Sequence, residues 1–229
     1  MWLQATLISI KKETELTWRF FINSEEKFDF IAGQFVRIKI NDTVRSYSIA
    51  SFKSSNKTFE LLIVKLDGGK MTNILFNNLN IGDKLEIKGP LGRFILPEKI
   101  DGDLLFICTG TGLAPFRSIL QSIELNNIIH NKIYLIFGTR TSKDLLCYDE
   151  MIKYQDNIVG FKYIPVLSRE KWNGKIGYVH NQYLEIIKSN KLVNPTFYLC
   201  GWRDMIKEAR INFKELGFDS KKIKLEIYG

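Results

Sequence analysis

Histidine and cysteine are scarce in this chain. Two histidines, His130 and His180, and three cysteines, Cys108, Cys147 and Cys200, occur among 229 residues. The cysteines are odd in number and widely spaced, so they form neither a disulfide framework nor a C-x-x-C metal or redox pair. The C-x₄-C-x₂-C spacing of a plant-type iron–sulfur cluster is also missing. So few imidazoles supply neither a His-rich metal centre nor a Ser/His/Asp triad. No metal is expected, and any redox chemistry has to be carried by an organic cofactor.

No apolar run reaches the roughly 18 residues that a membrane-spanning helix requires. The opening "MWLQATLISIKK" alternates like a strand and lacks the apolar core and cleavage site of a signal peptide. A cytoplasmic location is expected. The net charge of +8 is spread evenly: residues 1–99 carry 15 basic and 11 acidic residues, and residues 100–229 carry 18 and 14. With no basic block, no nucleic-acid partner is expected; the surface suits an acidic protein or an anionic cofactor.

The chain has two rhythms. Up to about residue 99, "LQATLISI", "LTWRFFI", "FVRIKI", "RSYSIA", "TFELLIVKL" and "KLEIKG" are rich in β-branched and aromatic residues and separated by Gly and Asp turns, which predicts a small antiparallel barrel or sandwich. Beyond "GPLGRFILPEKIDGD", apolar strands "LLFICTG", "KIYLIFGT", "FKYIPVLS" and "TFYLCG" alternate with helical patterns "PFRSILQSIEL", "SKDLLCYDEMIKY", "NQYLEIIKSN" and "RDMIKEARINFKELG". That alternation predicts βαβ units around a parallel sheet, with the boundary near Pro97 to Asp103.

Three stretches can meet a phosphate. In "CTGTGLAPFRSIL", Gly110 and Gly112 permit close backbone approach and Pro115 suits a first helical turn. A helix N-terminus there faces an anion, although an ordinary βα turn reads the same way. In "DGGKMTNILFNN", two glycines and Thr72 precede a short helical pattern, or else a plain hairpin turn. In "RSYSIAS", alternation sets Arg45 and Tyr47 on one face and Ser48 on the other, as in an edge strand with a surface Tyr/Arg pair.

The ordered series "RSYSIAS", "GGKMT", "GPLGRF", "GTGLAPFRSIL", "VLSRE", "CGWRDM" and "LEIYG" resembles the ferredoxin–NADP⁺ reductase family over nearly the whole chain. The resemblance implies a FAD-binding antiparallel β-barrel at residues 1–99 and an NADP(H)-binding α/β domain at residues 100–229. It implies that Arg45 pairs with the FAD pyrophosphate, Tyr47 packs on the isoalloxazine, and Ser48 bonds near N5, with Ser46 in the same segment. Gly69, Lys70, Met71 and Thr72 then match the phosphate-binding segment, with Lys65 as a further contact. Gly110, Thr111, Gly112 and Pro115 match the loop that receives the NADP pyrophosphate, and Cys200 and Gly201 the segment beside the nicotinamide. In "LEIYG", Glu226 becomes the active-site carboxylate and Tyr228 the ring covering the flavin; Gly229 after it departs from the plant-type ending. No aromatic in "IVKLDGGK" replaces the residue that stacks on the FAD adenine in plant-type members.

An NAD-specific site needs an acid near the end of the second strand, whereas "IYLIFGTRT" carries Arg140 and no acid there. Ser168 and Arg169 match the family's 2′-phosphate pair, and Lys175 and Tyr178 the residues completing it. The implied activity is hydride exchange between NADP(H) and FAD and single-electron exchange with an acidic ferredoxin or flavodoxin. Two alternatives stand beside it. One is an NADH-dependent reductase component of an oxygenase, or a free-flavin reductase; the other is a non-catalytic flavin-binding electron-transfer subunit.

Overall fold

The computed structural model describes residues 1–52, 56–189 and 192–228. Six strands, β1 (Leu3–Lys12), β2 (Thr17–Ser24), β3 (Phe35–Ile40), β4 (Thr43–Ser48), β5 (Thr58–Val64) and β6 (Lys84–Leu91), form one antiparallel sheet in the order β4-β3-β6-β1-β2-β5. The chain after β4 bridges back to β5 at Ile49–Leu61, and Ala50 N–H donates to the Glu60 carbonyl at 2.8 Å. The sheet therefore closes on itself as the expected barrel. Alternate side chains, among them Leu7, Phe20, Ile22, Val36, Ile38 and Ile87, fill its interior, each contributing about 1.5–3 kcal/mol of burial.

The later strands are β7 (Leu104–Thr109), β8 (Ile133–Thr139), β9 (Phe161–Leu167), β10 (Lys175–Ile176), β11 (Thr196–Trp202) and β12 (Ile223–Tyr228). They form a parallel sheet in the order β10-β9-β8-β7-β11-β12. The helices among them are α2 (Ala114–Asn126), α3 (Tyr148–Asn157), α4 (Val179–Ser189) and α5 (Arg203–Glu215); a shorter α1 (Lys70–Asn73) precedes them in the barrel region. Tyr183 and Ile186 of α4 and Ile206, Ala209 and Phe213 of α5 pack on Leu105, Ile107, Phe197 and Leu199. By alternation, Phe106, Cys108, Tyr198 and Cys200 point to the other face.

One helical expectation fails. "SKDLLCYDEMIKY" is not continuous: Thr141 and Asp144 close a capping box on one 3₁₀ turn, and Cys147 adopts φ 51°, so α3 begins only at Tyr148. The local box satisfies the turn's backbone groups, which competes with extending a helix.

By contact density the chain divides into two compact units, Met1–Ile95 with Ala114–Ser122, and Leu96–Leu113 with Ile123–Gly229. The first turns of α2 thus belong with the barrel. There, Arg117 Nη1 donates to the Ala50 carbonyl at 2.6 Å, Ser118 Oγ to the Ser51 carbonyl at 2.7 Å, and Phe52 N–H to Gln121 Oε1 at 2.6 Å.

Candidate functional site

The first cluster lies on β4. Arg45 and Ser46 are exposed, Tyr47 is half-buried against the barrel core, and Ser48 is buried. From Ser48 to Ser51 every residue is buried, in the stretch where the chain leaves β4 and bridges to β5 at Ile49–Leu61. Burial pushes the Tyr47 phenol well above its ordinary value, with the Arg45 cation opposing. The ring is therefore neutral at physiological pH. Arg45 Nη1 donates to the Val44 carbonyl at 2.7 Å, and the rest of its guanidinium faces solvent.

Helix α1 packs beside β4, so "GGKMT" and "RSYS" come together. Thr72 Oγ1 donates to the carbonyls of Leu66, at 3.0 Å, and Gly69, at 3.1 Å, which staples the turn below the helix. A Cβ on Gly69 would stand 2.5 Å from that oxygen. The single hydroxyl hydrogen of Thr72 is thus spent inside the loop. What the loop presents to an anion is the uncapped start of α1 and the exposed cations of Lys65 and Lys70, while Met71 is buried in the core. Cations, free N–H groups and a neutral ring on neighbouring elements fit the phosphates and ring system of a flavin dinucleotide.

The second cluster is built where β7 and β11 end. Gly110–Leu113 makes one 3₁₀ turn that runs straight into α2, with Pro115 in the first turn. Leading N–H groups of such a turn have no partner within the helix. A Cβ on Gly112 would lie 2.3 Å from the Cys200 carbonyl oxygen, and one on Gly201, at φ 135°, would lie 2.4 Å from Thr109 Oγ1. Trp202 N–H donates to that same hydroxyl at 3.2 Å. Two glycines therefore let the "GTG" and "CGW" turns lock backbone to backbone. Around Gly110, at φ 54°, the space is open, and Thr111 is half-buried beside it. This is room for a dinucleotide's pyrophosphate against free backbone donors.

Cys200 is fully buried and stands in register with Cys108 on one side and Glu226 on the other. Burial first, and Cys200 second, raise the Cys108 thiol well above its ordinary pKa. Glu226 is half-buried; Tyr228 pairs with Trp202 through the backbone, while its side chain and Gly229 lie outside the described residues.

At the ends of β8 and β9, Arg169 N–H donates to the Arg140 carbonyl at 2.9 Å, and Ser168 donates to the Thr139 carbonyl through N–H at 3.0 Å and Oγ at 3.2 Å. Arg140, Ser168 and Arg169 are so brought side by side. Both guanidinium groups are exposed, and neither forms an ion pair among the described residues. Lys175 instead points to Glu185 of α4 at 3.1 Å, and Tyr178 is exposed. Thr109, Trp202 and Glu170 were not anticipated. The Glu170 carboxylate accepts from Ser142 N–H at 2.8 Å and from Ser142 Oγ at 2.9 Å, which clips the β8 and β9 loops together. A hydroxyl closing the strand before G-x-G was a legible signal for Thr109; the Glu170–Ser142 clip had none.

Among the described residues, no group of three His, Cys, Asp or Glu could hold a metal ion, and no helix is long and apolar enough to cross a membrane.

A family model described as an oxidoreductase FAD-binding domain matches residues 5–95, and one described as an oxidoreductase NAD-binding domain matches residues 106–210. The anthranilate 1,2-dioxygenase electron transfer component of Acinetobacter baylyi is 35% identical over 192 residues, covering 81% of this chain and 54% of that protein. The Amycolatopsis cytochrome P450 reductase GcoB superposes with a TM-score of 0.90 at 29% identity, over 99% of this chain and 69% of that one. A ferredoxin NADP⁺ reductase from Neisseria gonorrhoeae, solved with bound FAD and NADP, gives a TM-score of 0.86 at 25% identity, over 99% and 98%. The chain spans little more than half the length of the curated relatives it matches. It belongs to the ferredoxin reductase-type family of oxidoreductases, with a FAD-binding and an NAD-binding domain.

Proposed function

We propose that this oxidoreductase takes hydride from NADPH and delivers single electrons to a separate acidic carrier, a ferredoxin or flavodoxin. Residues 1–99 are the proposed FAD domain and residues 100–229 the proposed NADP(H) domain. The observation that carries the choice of nucleotide is the pair Arg140 and Arg169. Two unneutralised guanidinium groups on adjacent strand ends match a 2′-phosphate, and the acid nearest in sequence, Glu170, is engaged by Ser142.

The chemistry that FAD would supply when held there is the coupling of a two-electron hydride donor to a one-electron acceptor. The protein's part is to hold and orient. Arg45, Lys65, Lys70 and the start of α1 would bind the flavin phosphates, and Tyr47 would lie against the ring. Thr72 and Gly69 keep the loop shaped for them. The turn from Gly110 to Pro115 would receive the NADP(H) pyrophosphate, with Thr111 at its mouth. Ser168, Lys175 and Tyr178 would complete the 2′-phosphate pocket, and Gly201 lets the "CGW" turn approach. Ser48, Cys200, Glu226 and Tyr228 are the proposed residues at the reacting rings, with Glu226 exchanging the proton. The cytoplasm is the proposed compartment, on the scarcity of cysteine.

A second reading is an NADH-dependent reductase component of an oxygenase. It is favoured by the 35% identity to a dioxygenase electron transfer component and by the Lys175–Glu185 pair, which draws one cation away. Anaerobic titration of the flavoprotein with NADPH and NADH, alongside Arg169→Ala, separates the two. NADPH is expected to bleach the flavin at lower concentration, and Arg169→Ala to raise KM for NADPH far more than for NADH. Equal losses for both nucleotides overturn the NADPH assignment.

A further inference from the structure

Helix α5 separates its charges by sign. At about 100° per residue, Arg203, Lys207, Arg210 and Lys214 fall within roughly 60° of arc, and Asp204, Glu208 and Glu215 within another narrow arc beside it. The apolar stripe Met205, Ile206, Ala209 and Phe213 faces the sheet. The acidic flank faces α4, where Glu208 pairs with His180 at 3.0 Å. The basic flank faces the other way, toward β12, the last strand of the sheet order.

On that side a groove of about 480 Å³, open to solvent, is lined by Lys207, Arg210 and Lys214 together with Ile211, Phe218, Ser220 and Ile223. None of the three cations forms an ion pair among the described residues. Ile211 is 48% exposed, and along β12 Leu225 and Ile227, on the same strand face as Ile223, are 36% and 46% exposed. Three unneutralised cations thus stand among apolar side chains beside a sheet edge that exposes two more, which offers a partner both charge and apolar contact.

We infer that this groove is a docking site for an acidic protein segment, one that places apolar side chains between α5 and β12 and carboxylates against Lys207, Arg210 and Lys214. Complementary charge selects such a partner and the apolar side chains hold it, the helix-in-groove mode of recognition. The site uses none of the residues assigned to FAD or the pyridine nucleotide, so it stands or falls apart from the NADPH reading.

The test is fluorescence anisotropy of the flavoprotein with a labelled amphipathic helical peptide, Leu on one face and Glu elsewhere. Three comparison probes accompany it: the same residues in scrambled order, phosphatidylglycerol vesicles, and a DNA duplex. The peptide is expected to bind, to weaken as salt rises, and to lose at least about tenfold in affinity in the triple variant Lys207→Glu, Arg210→Glu, Lys214→Glu. Ile211→Glu, a surface change that keeps the fold, is expected to weaken it as well. NAD(P)H oxidation with ferricyanide should be unchanged in both variants. Equal peptide affinity across the variants overturns the inference. So does binding of the scrambled peptide, vesicles or DNA as tightly as the amphipathic peptide, which reduces the groove to a general polyanion surface.

Discussion

Arg117 Nη1 lies 3.0 Å from Glu60 Oε2, with the two side chains only 5% and 18% exposed. The same nitrogen donates to the Ala50 carbonyl, and Glu60 is also 3.7 Å from Arg19, which pairs in turn with Glu13 at 2.5 Å. A chain of alternating charges thus runs from β1's end through the barrel wall to the first turns of α2. It holds the chain just beyond "RSYS" against the helix that continues "GTGLAP".

Removing Arg117 leaves the Glu60 carboxylate largely buried with only the longer 3.7 Å contact to Arg19. Arg117→Met is expected to cost about 3 kcal/mol in urea unfolding. Arg117→Met with Glu60→Leu should recover much of that, since both charges then leave together. A double variant no more stable than the single one would show that the charges themselves stabilise the fold.

Gly112→Ala places a Cβ into the Cys200 carbonyl, and backbone cannot yield as a flexible side chain does. The expected result is a loss of about 1–3 kcal/mol in stability, together with a raised KM for the pyridine nucleotide, because the turn must shift. Gly110→Ala is the control: open space surrounds it, so its strain comes from φ 54° alone. A Gly112→Ala protein with unchanged KM and melting temperature would contradict the locked arrangement.

The three thiols are buried, Cys108 and Cys200 fully and Cys147 to 3% exposure. Burial holds the Cys108 thiol protonated at neutral pH. None is expected to react with Ellman's reagent in the native protein, and all three after denaturation. Rapid labelling of Cys200 in the native state would show that the β11 end opens on that timescale.

His180 lies between Tyr183 Oη, at 3.0 Å, and Glu208, at 3.0 Å. Burial lowers its pKa below the ordinary 6.5, with Glu208 opposing. A lowered folded value means that the unfolded chain binds more protons between the two pKa values. The His180 contribution is therefore complete above about pH 6.5 and fades as pH falls toward the lowered value. Urea midpoints of the wild type and His180→Asn should differ more at pH 7.5 than at pH 5.5; the reverse order would mean that Glu208 dominates.

Much of this protein was written locally. The strand-and-turn rhythm before residue 99 and the strand–helix alternation after it define the barrel and the parallel sheet, because periods of two and 3.6 residues reflect which side chains must be buried. The grouped charges of α5 follow from the same spacing. The break before α3 was not legible as periodicity, since a four-residue capping box outcompeted a helix that the apolar spacing favoured.

Tertiary structure alone decided the rest. Only strand order sets Glu226, Cys200 and Cys108 in one row, and only it leaves β12 at an edge beside the basic flank of α5. Arg117 finds Glu60 across 57 positions, and Ser142 finds Glu170 across 28. A sequence determines which residues prefer burial and which turns are allowed, because those are properties of one residue and its neighbours. Which distant carbonyl lies 2.3 Å from the place of a missing Cβ, as Cys200 does for Gly112, depends on how whole strands pack, and that is settled only in three dimensions.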